Sequence, residues 1–503
     1  MQQLMISFEG AAAPREILDG VQRGAIASFC LFGHLNSRAP APLRELTESL
    51  RHAAQRGGQP VPLLGIDQEG GQLMAVVQGA TELPGNMALG ATRSPELAEQ
   101  AGRVLGRELL AMGINLNFAP SLDVNINPTN PVVGIRSFGA DPALVTELGL
   151  AMIRGMQAEG VIATAKHFPG HGDTTTDTHH AHVVVSHPLE RIETVELYPF
   201  RAAIQAGVKA IMTAHILFTA LDGERPATIS PPILTGYLRE RLGFKGVLIT
   251  DAMDMHAVAR YGREASVRMA LEAGADLVLL AHLPGQMELI RDLAPLARPA
   301  ALNRIAALRA QADRPLPDFD VIGCAEHQQI AQTIADRAIT LVRDAGRLPL
   351  HPAPDDEIAV ITPEPVDLTP ADTSSHVTIA LADAIRQRHP RTRAYELPHR
   401  AGPDEIAALL HAVEEADVVI VGTISADQHA GQTELVRALH ARGQCPIVIA
   451  LRTPYDLAAF PMIETYLCAY SIRPVAVEAA ARALFGEIEA TGVLPGAIPE
   501  SQA

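Results

Sequence analysis

The chain has 503 residues, 48% of them hydrophobic and 19% charged, with 57 Asp and Glu against 40 Lys and Arg. The net charge of −17, without a run of Lys or Arg, argues against a nucleic-acid or membrane-surface protein, which gains affinity by neutralising phosphates or anionic lipid. The composition excludes a disordered or fibrous chain, and the length predicts two or more domains, each with its own core.

Cys30, Cys324, Cys445 and Cys468 lie in no CxxC spacing. Neither a disulfide framework nor a zinc finger is indicated, and the four read as small buried hydrophobes. The N-terminus, MQQLMISFEGAAAPREILDG, has no basic start and no apolar h-region, so no signal peptide is expected. No apolar run approaches the roughly 18–20 residues of a membrane span. A soluble, reduced, cytoplasmic protein is the expectation, with no nucleic-acid and no membrane partner.

In chain order, seven apolar runs predict strands: Ile26–Gly33, Val61–Asp67, Ile114–Phe118, Val161–Lys166, Val208–Ala214, Gly246–Thr250 and Asp276–Ala281. Helical patterns separate them, the signature of βα units and a parallel sheet. Ser94-Pro95 and Asp141-Pro142 predict helix starts, and Gly113 and Gly160 the matching stops. Polar residues stand where each run ends: Asp67, Asn117 with Asp123, Lys166-His167, His215, Asp251 and His282. In a (β/α)8 barrel these positions converge on one mouth, whereas an open doubly wound sheet spreads them along an edge. The length of the series favours the barrel, over residues 1–312, although no eighth strand stands out.

A Pro-rich charged stretch at 313–320 reads as a linker. A second α/β pattern over 321–503, with strands at Glu357–Thr362, Asp417–Gly422, Pro446–Leu451 and Thr465–Ala469, predicts a smaller α/β sandwich. It carries no Gly-rich phosphate-binding motif.

The densest polar stretch is KHFPGHGDTTTDTHHAH, Lys166 to His182. A metal site and an acid/base loop compete for it. The stretch is too rich in Gly, Pro and Thr to form the helix that sets two His at i, i+4, which favours the acid/base loop, and a loop of this length at a strand end usually serves a function. In Asp177-Thr178-His179 a carboxylate beside an imidazole favours its charged form, making His179 a candidate general acid and then base. Asp251 follows a buried strand, where its carboxylate would enter the barrel mouth as nucleophile or charge stabiliser. The alternative, that Asp251 caps the next helix, is weakened by Asp254, which is better placed for that cap.

Together these motifs resemble glycoside hydrolase family 3, and within it the β-N-acetylglucosaminidase branch. The family pattern KH(F/I)PGxGxxxxD(S/T)H is met from Lys166 to Gly172 and then by Asp177-Thr178-His179. Ile66-Asp67-Gln68-Glu69-Gly70-Gly71 is similar to its D-x-E-G-G element, and Asn117-Phe118-Ala119-Pro120, Asp123-Val124-Asn125 and Arg136-Ser137-Phe138 are similar to its third-strand elements. Ala469-Tyr470-Ser471, Leu484-Phe485-Gly486-Glu487 and Leu494-Pro495 resemble the end of its second domain.

The resemblance implies Asp251 as nucleophile and His179 with Asp177 as the acid/base dyad, in place of the Glu that family β-glucosidases use. It implies Asp67, Arg136, Lys166 and His167 as substrate-binding residues, with Asp123 and His215 in the same neighbourhood. In two-domain relatives of this branch the second domain often adds little to the site. The implied activity is retaining hydrolysis of terminal β-linked GlcNAc, with peptidoglycan-derived fragments as substrate and no metal or organic cofactor. Gly170, Gly172 and the Thr run suggest a mobile loop that closes over substrate. The rival readings are a phosphorylase or β-glucosidase of the same family, a sugar-binding protein without activity, and a metallohydrolase built on the His cluster. Oligomeric state has no signature in the sequence.

Overall fold

A computed structural model describes residues 2–177 and 183–500. Its N-terminal part is a closed barrel of eight parallel strands: β1 (Leu4–Met5), β2 (Ser28–Cys30), β3 (Leu63–Ile66), β4 (Leu116–Asn117), β5 (Ile162–Phe168), β6 (Ala210–Thr213), β7 (Val247–Ile249) and β8 (Val278–Leu279). Neighbours in sequence are neighbours in space from β2 to β7. Parallel bridges from Ile249 to Leu277 and from Ile6 to Phe29, with the β1–β8 pair, close the ring. The eighth strand is therefore the N-terminal Leu4–Met5. Two apolar residues are too few to give a periodic signal, and their partners lie at the far end of the barrel sequence.

The barrel interior is a packed core. Met5, Cys30, Leu63, Leu116, Ile162, Val247 and Leu277 point into one cluster, as the alternation of inward and outward residues requires. Gly65 makes room for an aromatic there: a Cβ would lie 2.5 Å from the Phe118 ring. Helix Pro299–Ala312 plugs the N-terminal face with Ile305, Leu308 and Ala312, and its Arg309 Nε donates to the Val61 carbonyl at 3.0 Å.

The two helix starts behave as expected. Ser94 Oγ accepts the Leu97 amide at 3.3 Å, and Asp141 Oδ1 accepts the Ala143 amide at 3.0 Å, each replacing a bond that the first helical turn lacks. Gly113 and Gly160 take φ of +78° and +91° beyond the helix ends, a region that favours glycine.

Helix Ala325–Ala338 packs on barrel helix Pro95–Ala111 and on helix Pro474–Leu484 of the second part. His327 Nδ1 meets Glu108 Oε1 at 2.8 Å across that contact. The second part is a six-stranded sheet formed by β9 (Thr340–Arg343), β10 (Ile358–Pro363), β11 (Thr392–Leu397), β12 (Val418–Thr423), β13 (Ile447–Ala450) and β14 (Thr465–Cys468). Its order is β9-β14-β13-β12-β10-β11, with only the β9–β14 pair antiparallel. The four expected strands are the inner ones. The two edge strands, TLVR and TRAYEL, leave several residues exposed and carry charges, so they lack the apolar run of a buried strand. Cys30 and Cys468 are buried as expected, but Cys324 is half-buried and Cys445 exposed; all four are free thiols.

Candidate active site

The C-terminal ends of the barrel strands open into a cavity of about 610 Å³. On one side stands a four-membered charge cluster. Lys166 Nζ, at the end of β5, lies 2.7 Å from Asp67 Oδ1 and 2.6 Å from Glu69 Oε1. Arg136 meets Glu69 through two bonds, Nε to Oε2 at 2.9 Å and Nη2 to Oε1 at 2.7 Å, the fork geometry that suits a guanidinium and a carboxylate. Burial alone would push the Glu69 carboxyl up, but Arg136 and Lys166 reverse this and hold it at about 2. Burial opposes the Lys166 charge, and Asp67 and Glu69 overcome it, raising the ammonium above its ordinary value. Asp67, Arg136 and Lys166 line the cavity, with Glu69 behind them holding the two cations in place.

Asp123 has a different place from the substrate contact that the resemblance suggests. It is fully buried and organises the loop after β5 from behind. Its carboxylate accepts the amides of His167 at 3.1 Å and His171 at 2.7 Å, and the Ser121 hydroxyl at 2.9 Å, and it pairs with His167 Nδ1 at 2.7 Å. Burial opposes the charge here too, and the neighbouring His167 reverses it, so the carboxyl falls well below its ordinary range. His167 and His171 both line the cavity. Burial pushes the His171 imidazole down to about 4 despite Asp123 beside it.

Asp251 lies two residues beyond the end of β7, lines the cavity and accepts the Ala252 amide on Oδ1 at 2.8 Å. Asp254 does not cap the next helix as expected. Its Oδ2 accepts the His282 amide at 3.2 Å, and that helix begins after Met255 without a side-chain cap. His215 is buried behind the same loop, with Nδ1 2.8 Å from Thr228 Oγ1 and Nε2 2.8 Å from the Ala252 carbonyl. It steadies the residue next to Asp251 and does not line the cavity. Asp177 is buried; His179 lies outside the described residues.

The glycines before Asp177 answer to packing. A Cβ on Gly172 would lie 1.8 Å from the Val124 carbonyl oxygen, and one on Gly170 would lie 2.7 Å from Glu196 Cβ. Farther along, His187 Nε2 pairs with Asp173 Oδ2. Among the described residues no group of three or more His, Cys, Asp or Glu is arranged to hold a metal ion, and no helix is long and apolar enough to cross a membrane.

The second domain contributes more than the resemblance implies. A strap at 367–373 crosses to the barrel mouth, and Asp367 and Pro370 to Thr373 line the cavity. It is pinned by Thr373, whose amide and hydroxyl both donate to the Gln72 carbonyl at 2.8 Å, and by an Arg452 to Asp372 ion pair at 2.8 Å. Arg473 Nε donates to the Gly71 carbonyl at 2.7 Å, and its Nη2 to Thr373 Oγ1 at 3.2 Å. Glu69, His171, Phe32, His34 and this strap are absent from the sequence-based site. For Glu69 the available signal is its i, i+2 spacing from Asp67 at a strand end; for the strap there is none.

Residues 1–305 match the glycosyl hydrolase family 3 N terminal domain, and residues 339–503 its C-terminal domain. Beta-hexosaminidase A of Pseudoalteromonas piscicida is 32% identical over 96% of this chain and 91% of that protein. Beta-hexosaminidase of Nitrosomonas eutropha is 39% identical over 56% of this chain and 81% of its own length. A family 3 beta-N-acetylglucosaminidase from Paenibacillus sp. superposes with a TM-score of 0.92 at 34% identity, over 100% of this chain and 98% of that one. A beta-glucoside phosphorylase shares the fold, with a TM-score of 0.80 at 22% identity over 98% of this chain and 92% of that one. The two matched domains together span most of the chain, which belongs to glycoside hydrolase family 3 and is a glycoside hydrolase.

Proposed function

We propose that this enzyme is a retaining exo-β-N-acetylglucosaminidase. The observation that carries the reading is the placement of Asp251 in the same cavity as Asp67, Lys166, Arg136 and His167. That combination pairs a carboxylate nucleophile with fixed donors and acceptors for the hydroxyls and amide of one sugar. The hexosaminidase and N-acetylglucosaminidase names of relatives above 30% identity support the same substrate.

In the first step an Asp251 carboxylate oxygen bonds to the anomeric carbon as the glycosidic C–O bond breaks, and His179 gives its proton to the departing oxygen. In the second, His179 takes a proton from water, whose oxygen attacks the anomeric carbon and releases Asp251. Two inversions give net retention. His167, with Nδ1 committed to Asp123, keeps Nε2 for the sugar. The reading extends to peptidoglycan-derived GlcNAc–anhydro-MurNAc fragments met in the cytoplasm, a setting with which four free cysteines agree.

An aryl β-GlcNAc, followed by NMR with and without phosphate, tests the activity. β-GlcNAc as first product, independent of phosphate and lost in Asp251→Ala, is expected. An α product, or GlcNAc 1-phosphate, overturns it.

A further inference from the structure

The loops that follow β4 and β5 carry different parts of the site. The first brings Arg136 to the cavity, and the second leads through His171 and Thr174 to Asp177. Asn130 stands between them, 4% exposed and outside the cavity lining. It precedes Pro131, a pairing that starts turns, and its Oδ1 accepts the amides of Val132 at 3.0 Å and Val133 at 2.8 Å. The Arg136 amide in turn donates to the Val133 carbonyl at 2.7 Å. Asn130 therefore shapes the approach to the short helical turn, Gly134–Arg136, that presents the guanidinium.

The other half of the same carboxamide reaches across to the second loop. Asn130 Nδ2 donates to the His171 carbonyl at 2.8 Å and to Thr174 Oγ1 at 3.1 Å. Thr174 is 2% exposed, and its hydroxyl donates to that same carbonyl at 3.0 Å. Asn127 adds a second tie, its Nδ2 donating to the Thr174 carbonyl at 3.1 Å. A carboxamide offers two N–H donors and an oxygen with two lone pairs, and Asn130 uses all of them. A serine here would keep the turn and lose the reach, whereas an aspartate would set a negative oxygen against the His171 carbonyl.

We propose that Asn130 is a positioning residue for proton delivery: by fastening the His171–Thr174 turn to the turn that carries Arg136, it sets where the Asp177 segment stands relative to the sugar that Arg136 holds. The proposal rests on the hexosaminidase reading, in which His179 gives the proton, and deepens it by naming the side chain that couples the grip on the sugar to the acid. A displaced acid slows the substrates whose leaving group needs a proton and spares those whose leaving group does not. A general contribution to packing would slow both alike.

The experiment measures kcat/KM, which reports the first step, in the wild-type enzyme, Asn130→Ser and Thr174→Val. Two substrates are compared: methyl β-N-acetylglucosaminide, whose oxygen must be protonated as it leaves, and 2,4-dinitrophenyl β-N-acetylglucosaminide, whose phenolate leaves without a proton. Asn130→Ser keeps an acceptor for the local turn, and Thr174→Val keeps the shape of the buried side chain, so each removes the tie between the loops with little change in packing. The expected result in both variants is a fall of about ten-fold or more on the methyl glycoside, with less than about two-fold change on the dinitrophenyl glycoside. Equal losses on the two substrates, or no loss on either, overturn the positioning role and leave the hexosaminidase reading standing. A wild-type enzyme that cleaves neither overturns that reading, and the positioning role with it.

Discussion

Arg136 and Glu69 face each other through two bonds of 2.9 and 2.7 Å, with side chains 3% and 1% exposed. A pair this deep is costly to leave half-made, because the remaining charge has no water to turn to. Glu69→Ala is expected to cost about 3–5 kcal/mol by urea denaturation at pH 7. Arg268→Ala, at the exposed Arg268–Glu264 pair, is expected to stay within about 0.5 kcal/mol. Comparable losses at the two sites would contradict the cluster's role.

The same pair sets a pH dependence. The Glu69 carboxyl stands at about 2 in the folded chain against an ordinary value of 4.5. A depressed carboxyl stabilises the fold fully above its unfolded value and loses that contribution as pH falls toward the folded one. The stability gap between wild type and Glu69→Gln is therefore expected to hold steady above pH 4.5 and to narrow below it. A gap that widens on acidification would run against this.

His171 acts in the same direction on acidification, but at higher pH. Its folded value of about 4 lies below the ordinary 6.5, so the folded chain excludes a proton that the unfolded chain accepts. This site adds no pH dependence above 6.5 and removes stability progressively between 6.5 and 4. An NMR titration of the His171 ring should show a midpoint near 4; one near 6.5 would show the ring open to solvent.

Asp173 and His187 pair with each other, one on either side of His179 in the sequence, and neither lines the cavity. Asp173→Ala is expected to lower kcat by about ten-fold or more, as small misplacements of catalytic groups do, with KM little changed and partial rescue in Asp173→Asn. A rise in KM at constant kcat would point to a binding defect instead.

Much of the barrel is written locally. β2 to β8 announce themselves as apolar runs, and Asp67, Lys166 and Asp251 stand where such runs end, which is where barrels gather their chemistry. Leu4–Met5 is too short to register, because its strand identity comes from Val278 and Leu279. Glu69 sits two residues from Asp67, yet its importance comes from Arg136 and Lys166, brought to it by the fold. The strap is the extreme case: Thr373 answers to Gln72, roughly three hundred positions away, and nothing in DLTPADT indicates a cavity wall. Asp254 shows the limit of local rules, since a well-placed cap residue holds the His282 amide instead.

The central claim is that Asp251 forms the glycosyl-enzyme bond. A fluorinated β-GlcNAc donor whose intermediate turns over slowly can be mixed with the enzyme, and the acid-quenched protein digested and mapped by mass spectrometry. One glycosyl group per chain on the peptide that carries Asp251 is the predicted result; a label on any other residue, or no covalent adduct under conditions of slow turnover, would contradict it.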